Sequence, residues 1–151
     1  MRRASLNDVQ QLVAMMTEFY SESGYMLNPR RATEAFHALL ADERLGYVWF
    51  VQSDSRDVGY VVVTFCYSMT FGGPTAVVDD FFIQPAFRGM GLGKAALQEV
   101  RAHCASHGIL ALYVSARRDN ASALAVYRGA GFVDTDHVLF TLSLADPTPA
   151  L

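Results

Sequence analysis

The sequence predicts an α/β protein: a mixed, mostly antiparallel central sheet flanked by helices. Three observations carry that reading. Two amphipathic helical stripes occupy the start of the chain. Three runs rich in β-branched and aromatic residues follow, separated by short turns, as in an antiparallel meander. Helix and strand patterns then alternate, which makes the sheet mixed.

In "SLNDVQQLVAMMTEFY", Ser5 is the expected N-cap and Asp8 sits in the first turn. Leu6, Val9, Leu12, Val13, Met16 and Phe19 form the apolar stripe. At most Met1 to Ala4 remains for a strand ahead of it. "NPRRATEAFHALLADERLG" repeats the pattern, with Asn28 as cap and Pro29 at the first helical position. The loop between them, "SESGYML", holds an acid, Glu22, and an aromatic, Tyr25. "YVWFVQ" (47–52) predicts a strand and "SDSRD" a hairpin turn. "VGYVVVTFCYSM" (58–69) predicts a second strand, and "FGGP" turns into a third from Thr75 to Ile83, closed by Gln84-Pro85. From Gly91 to His107 the helical period returns, with Gly108 as the stop. "ILALYVS" (109–115) is nearly continuous in apolar residues and predicts a strand buried on both faces. A short helix, "ASALAVYRGAG", ends at Gly129 and Gly131; "FVDTDHVLFTLSL" predicts a closing hairpin or pair of strands, and "ADPTPAL" a frayed tail. The expectation is one domain over 1–145 with a flexible tail at 146–151.

Length and composition fit a single core: 151 residues, 52% hydrophobic and 18% charged, which argues against disorder. A net charge of −3 gives no reason to expect nucleic acid or an anionic membrane as partner. An anionic ligand must then be held by local geometry. Cys66 in an apolar strand and Cys104 on a helix's inner side read as reduced core thiols of a cytoplasmic protein. "MRRASLNDVQQLV" has no continuous apolar h-region, and no stretch is long enough to span a membrane. His37, His103, His107 and His137 show no ligand-like clustering, so no metal is expected.

The chemistry concentrates in "AVVDDFFIQPAFRGMGLGKAAL" (76–97). Gly89, Gly91 and Gly93 alternate between a strand and a helix, which bares backbone N–H groups where the helix dipole is positive and suits a phosphate or pyrophosphate. A Walker loop requires glycine at the place of Arg88 and Ser or Thr at Ala95, so it fails twice. A dinucleotide fingerprint requires glycine at Lys94 and a βαβ unit, neither of which is present. Arg88, Gly91 and Gly93 do match R/Q-x-x-G-x-G/A, the pyrophosphate loop of the GNAT acyltransferases. "DNASALAVYRGAGF" resembles that superfamily's later segment, with Asn120, Ala123, Tyr127, Gly131 and Phe132 in place. Asn120 and Tyr127, two helical turns apart, project from one face.

The resemblance covers nearly the whole chain and implies an acetyl-CoA-dependent N-acetyltransferase acting on a primary amine by direct attack. It implies that Arg88, Gly89, Met90, Gly91, Leu92, Gly93 and Lys94 grip the diphosphate, that Phe82 and Ile83 offer main-chain groups to the pantetheine arm, and that Asn120 and Tyr127 also line the cofactor. Acetyl transfer needs a base, because an alkylammonium with a pKa near ~10 must lose a proton, and an acid for the departing thiolate. Tyr127 suits the acid. The strand's acid pair supplies a base, and "VDDFFIQPAFRGMGLG" resembles the diamine (spermidine/spermine) acetyltransferases, which implies Asp79 as proton acceptor and Asp80 as holder of the cationic substrate. Alternation along a strand lets only one of the two face a given cleft unless a bulge intervenes. The preceding hairpin, "YSMTFGGP", is uncharged, so the acceptor is expected to be a small-molecule amine, a smaller amine or amino acid included, with Glu22, Tyr20, Tyr25 and Phe71 lining its site. A protein acetyltransferase and a non-catalytic acyl-CoA-binding module remain as alternatives. The apolar "VLFTLSL" (138–144) suits either a strand shared by a homodimer or one buried in the monomer.

Overall fold

Side-chain alternation in the strands builds two cores, one on each face of a single sheet. In the computed structural model, which describes residues 1–144, five strands lie in the order β1 (Arg2–Arg3), β2 (Gly46–Ser53), β3 (Arg56–Ser68), β4 (Gly73–Ile83), β5 (Leu112–Val114). The first four pair antiparallel, and β5 runs parallel to β4. Four helices flank them: α1 (Val9–Glu22), α2 (Pro29–Ala41), α3 (Leu92–Ser106) and α4 (Ala121–Gly129). The predicted mixed α/β architecture is thus observed.

Val48, Phe50, Tyr60, Val62 and Phe82 point to one face and meet Leu12, Met15 and Phe36 of α1 and α2. Trp49, Val61, Val63, Ala76 and Val78 point to the other and meet Leu97, Val100 and Cys104 of α3. Each buried Val, Leu or Phe contributes roughly 1.5–3 kcal/mol, so the two faces hold the fold from both sides. Asn28 caps α2 by accepting from the Arg31 amide at 3.1 Å, with Pro29 in the first turn. The β2–β3 hairpin turns on Asp54 and Ser55, both left-handed (φ 48° and 63°), as a two-residue turn of primed type demands. Gly59 is required where β3 meets β4, since a Cβ there would stand 2.2 Å from the Phe82 carbonyl oxygen.

Several expectations need correction. β5 spans three residues rather than 109–115 and is only half covered, with Tyr113 exposed, because the sheet ends there. The closing strands expected over 132–144 do not form among the described residues. Cys66 lies near the end of β3 and is exposed, whereas Cys104 is buried; both are free thiols. The doubtful first strand exists, as two residues paired with Trp49 and Phe50. The tail expected at 146–151 falls outside the described residues. Among the described residues, no helix is long and apolar enough to cross a membrane.

Candidate active site

β4 is the element around which the site is built. Its first half pairs with β5, at Ala76–Leu112, Val77–Tyr113 and Val78–Val114. The ladder stops there, so Asp79 to Ile83 leave a backbone edge open toward α4. On its other side β4 stays paired with β3 to Gly59–Ile83, but the register slips: Val62 faces Asp80 while Val63 faces Val78. Asp79 is therefore the extra residue of a β-bulge. Val78 and Phe81 both pack on the α3 side, although three residues apart, and Phe82 packs on the α1–α2 side. The bulge lets both Asp79 and Asp80 line a single cavity of about 100 Å³ with Met16, Ala32, Ala35, Phe36, Leu39 and Val62. Alternation alone would have separated the two acids.

Their surroundings differ. Asp80 is largely shielded and accepts a hydrogen bond from the Tyr60 hydroxyl at 3.0 Å. Burial lifts its carboxyl to about 6; the Tyr60 bond pulls the other way, and the Asp79 charge adds to the rise. Asp79 is exposed. Tyr20, at the end of α1, is pushed up to about 12 by burial and by the charges of Asp80 and Asp79. Tyr60, fully buried, is raised much further by the same causes. Tyr60 was not foreseen. Its role depends on the cross-strand register, and no spacing within "VGYVVV" signals that.

Tyr127 comes from the opposite side, on α4. Its ring lies 6.4 Å from Phe81 and 5.8 Å from Phe132, and burial, then the Asp80 charge, raises its hydroxyl above the ordinary tyrosine value. The tyrosine thus stays protonated at neutral pH and senses Asp80 across the gap beside β4. Asn120 spends its side chain locally, accepting from the Ala123 amide at 3.0 Å to cap α4.

The glycine loop follows a short turn at Pro85–Phe87. Gly89 and Gly91 adopt φ +76° and +80°, with open space where a Cβ would stand, so backbone conformation alone demands glycine. Gly93 serves differently: a Cβ there would stand 3.2 Å from Val126 and 3.7 Å from Phe81, so it sets the approach of α3 to β4 and α4. Ala95 is the first amide of α3 to find an intrahelical acceptor, the Gly91 carbonyl at 3.1 Å. The amides of Leu92, Gly93 and Lys94 are thereby left for another partner. Met90 and Lys94 are exposed beside them. Bare amides, left-handed glycines and a helix dipole are the donor set a diphosphate requires.

Arg88 and Glu22, expected in separate subsites, meet. The Arg88 guanidinium holds the Glu22 carboxylate at 2.7 and 3.0 Å and donates through Nε to the Ile83 carbonyl at 2.7 Å. This ties the end of α1 to the loop and to the open edge of β4. Phe82 is core, packed on Phe19 and Tyr60, and its carbonyl oxygen faces Gly59 of β3. Tyr25 bonds back through its amide to the Tyr20 carbonyl at 2.9 Å. Asp119, and then Tyr25, raise the Arg117 guanidinium, which places the α1–α2 loop against the segment after β5. Phe71 lies apart, exposed on the β3–β4 hairpin, edge-on to Tyr113 at 6.3 Å. A larger depression of about 480 Å³ lies beside β1 and α2 on the far side of Leu39, and its Arg3 and Glu43 pair with each other.

Known proteins share this fold. The profile of the acetyltransferase (GNAT) family matches residues 10–132. Aminoglycoside N(6')-acetyltransferase type 1 of Stenotrophomonas maltophilia is 26% identical over 112 residues, covering 72% of this chain and 73% of that protein. An integron cassette protein, HFX_CASS3, from the mobile metagenome of Cole Harbour Salt Marsh is 42% identical over 97% of this chain and 91% of its own, with a TM-score of 0.88. The structure of a predicted acetyltransferase from Clostridium acetobutylicum with acetyl-CoA shares the fold at 21% identity, over 93% of this chain and 94% of that one, with a TM-score of 0.77. The curated relative thus acts on aminoglycosides rather than on diamines.

Proposed function

The chain belongs to the GNAT acetyltransferase family and uses acetyl-CoA, and from that premise we propose that it acetylates a primary amine of a small molecule bearing more than one amino group, an aminoglycoside or a short polyamine. The observation that carries this reading is the bulge at Asp79, which brings two carboxylates into one cavity. Two acids side by side suit a substrate that presents two cations, one to be held and one to react.

Acetyl-CoA supplies an activated thioester. The amides of Leu92, Gly93 and Lys94 hold the diphosphate, and the open β4 edge from Asp79 to Ile83 orients the arm. Asp80, at about 6, is ionised at neutral pH yet basic enough to draw a proton from an incoming ammonium, directly or through water. Burial thus favours Asp80 as base and leaves exposed Asp79 to hold a second ammonium, the reverse of the diamine-type assignment. Tyr60 keeps the base oriented. Tyr127, protonated and shielded, delivers a proton to the leaving sulfur. A cytoplasmic setting accords with the free thiols of Cys66 and Cys104.

The experiment is a panel of aminoglycosides, linear diamines, amino acids and lysine peptides offered with acetyl-CoA, with released thiol as readout. Turnover of compounds with several amines is expected. Turnover of lysine peptides alone would make this a protein acetyltransferase; binding of acetyl-CoA without any turnover would make it an acyl-CoA-binding module.

A further inference from the structure

Apart from Asp79 and Asp80, the cavity beside β4 is lined by Met16, Ala32, Ala35, Phe36, Leu39 and Val62, all of them apolar. It runs from exposed Ala35 and Asp79 at its mouth to a floor of Ala32, Phe36 and Val62, which are only 4–5% exposed. The Tyr60 hydroxyl is spent on Asp80 at 3.0 Å, and the Tyr60 ring stands edge-on to Phe36 at 6.3 Å. Beyond the two carboxylates, the lining side chains therefore offer nothing to a polar group.

Two small residues make this space. Ala32 and Ala35 lie one turn apart on the same face of α2, whose other inward positions carry Phe36, Leu39 and Leu40. Leucine at either alanine would add three carbons, about 90 Å³ at roughly 30 Å³ apiece. That nearly equals the cavity itself, about 100 Å³. An apolar hollow that stays unfilled costs stability. One held open by two alanines against a pair of acids calls for an occupant.

We propose that this cavity is an apolar subsite of the acceptor site, that it takes an unbranched carbon arm next to the substrate's amine, and that Ala32 and Ala35 set the length of that arm. The inference rests on the amine acetylation proposed above and narrows its substrate class to amines with an aliphatic arm. Size and chemistry agree. The space receives about three or four methylenes, whereas a six-membered ring needs a cavity of roughly 150 Å³. A sugar would bury its hydroxyls there without partners, at the cost of their hydration. Val62 pairs with Asp80 across the sheet, so an arm seated on the floor ends with its ammonium at the carboxylates. Asp79, at the mouth, stays open to a second ammonium.

The test offers ethylamine, propylamine, butylamine, hexylamine and 6-amino-6-deoxyglucose with acetyl-CoA and compares kcat/KM. In the parent, kcat/KM is expected to rise about fourfold per methylene from ethylamine to butylamine and then to level off or fall. The aminosugar is expected at least about tenfold below butylamine. Ala35→Leu is expected to lower the butylamine-to-ethylamine ratio by about tenfold, and Leu39→Ala, which enlarges the cavity, to shift the preference to hexylamine. Opposite shifts from filling and enlarging are not what general damage produces; circular dichroism and calorimetric titration are expected to show the fold and the acetyl-CoA affinity retained in both variants. A flat series in the parent, an aminosugar turned over as well as butylamine, or variants with the parent's length preference overturn the subsite and leave amine acetylation standing. So does turnover of other amines of the wider panel without any alkylamine. No turnover of any amine overturns both.

Discussion

Replacing Asp80 by asparagine tests the site through stability before any substrate is known. Burial, offset by Tyr60 and reinforced by Asp79, moves the Asp80 carboxyl from 3.8 to about 6 in the folded protein. The folded state therefore binds this proton more tightly than the unfolded state does. Stability from this group is fully present below about pH 4 and is lost as pH rises through 6, the reverse of an ion-paired aspartate. At about 1.36 kcal/mol per pH unit, the ionised carboxylate costs about 3 kcal/mol at pH 7.5 and about 0.5 kcal/mol at pH 4. Water entering the cleft reduces the first figure. Asp80→Asn keeps the shape and an oxygen acceptor for Tyr60 but cannot ionise. It is expected to be more stable than the parent by about 1–3 kcal/mol at pH 7.5, a rise in Tm of roughly 3–10 °C at this size, with little difference at pH 4. Scanning calorimetry of both proteins at the two pH values measures this directly. A variant no more stable than the parent at pH 7.5, or one stabilised equally at both pH values, refutes the argument that the fold maintains a costly carboxylate. Acetyl transfer by the same variant is expected to fall by about 10²-fold or more, the worth of a positioned base.

Three further outcomes follow from the loop and from α4. Tyr127→Phe is expected to lower kcat by about 10²-fold with acetyl-CoA affinity nearly unchanged, since the ring contacts with Phe81 and Phe132 survive; calorimetric titration beside steady-state kinetics separates the two effects. Glu22→Gln releases the Arg88 guanidinium from a half-exposed ion pair, so acetyl-CoA affinity is expected to rise by up to about fivefold at low salt, and a fall would show that the pair organises the loop. Gly91→Ala forces a Cβ into φ +80°, at a cost of about 1–2 kcal/mol. Its acetyl-CoA affinity is expected to drop about tenfold in the same titration, while Gly108→Ala, also at positive φ but at the opposite end of α3, leaves affinity unaltered.

Local chemistry was readable in the sequence. The alternating glycines ahead of a helical stripe specify an anion cradle because left-handed φ and bare amides are properties of the residues themselves. The helix cap at Asn28 and the strand alternation in "YVWFV" and "GYVVV" are equally local, and the two-faced sheet follows from them. What the chain could not announce alone is whatever depends on register between strands or on packing between distant elements. The bulge at Asp79 arises from how β4 pairs with β3, and it turns two neighbouring acids to one side. The shielding of Asp80 requires Tyr60 and the α1–α2 layer, and the Glu22–Arg88 pair joins residues 66 positions apart. Periodicity predicted closing strands over 132–144 that do not form among the described residues, because hydrophobic pattern records that a face must be covered and tertiary structure decides by what.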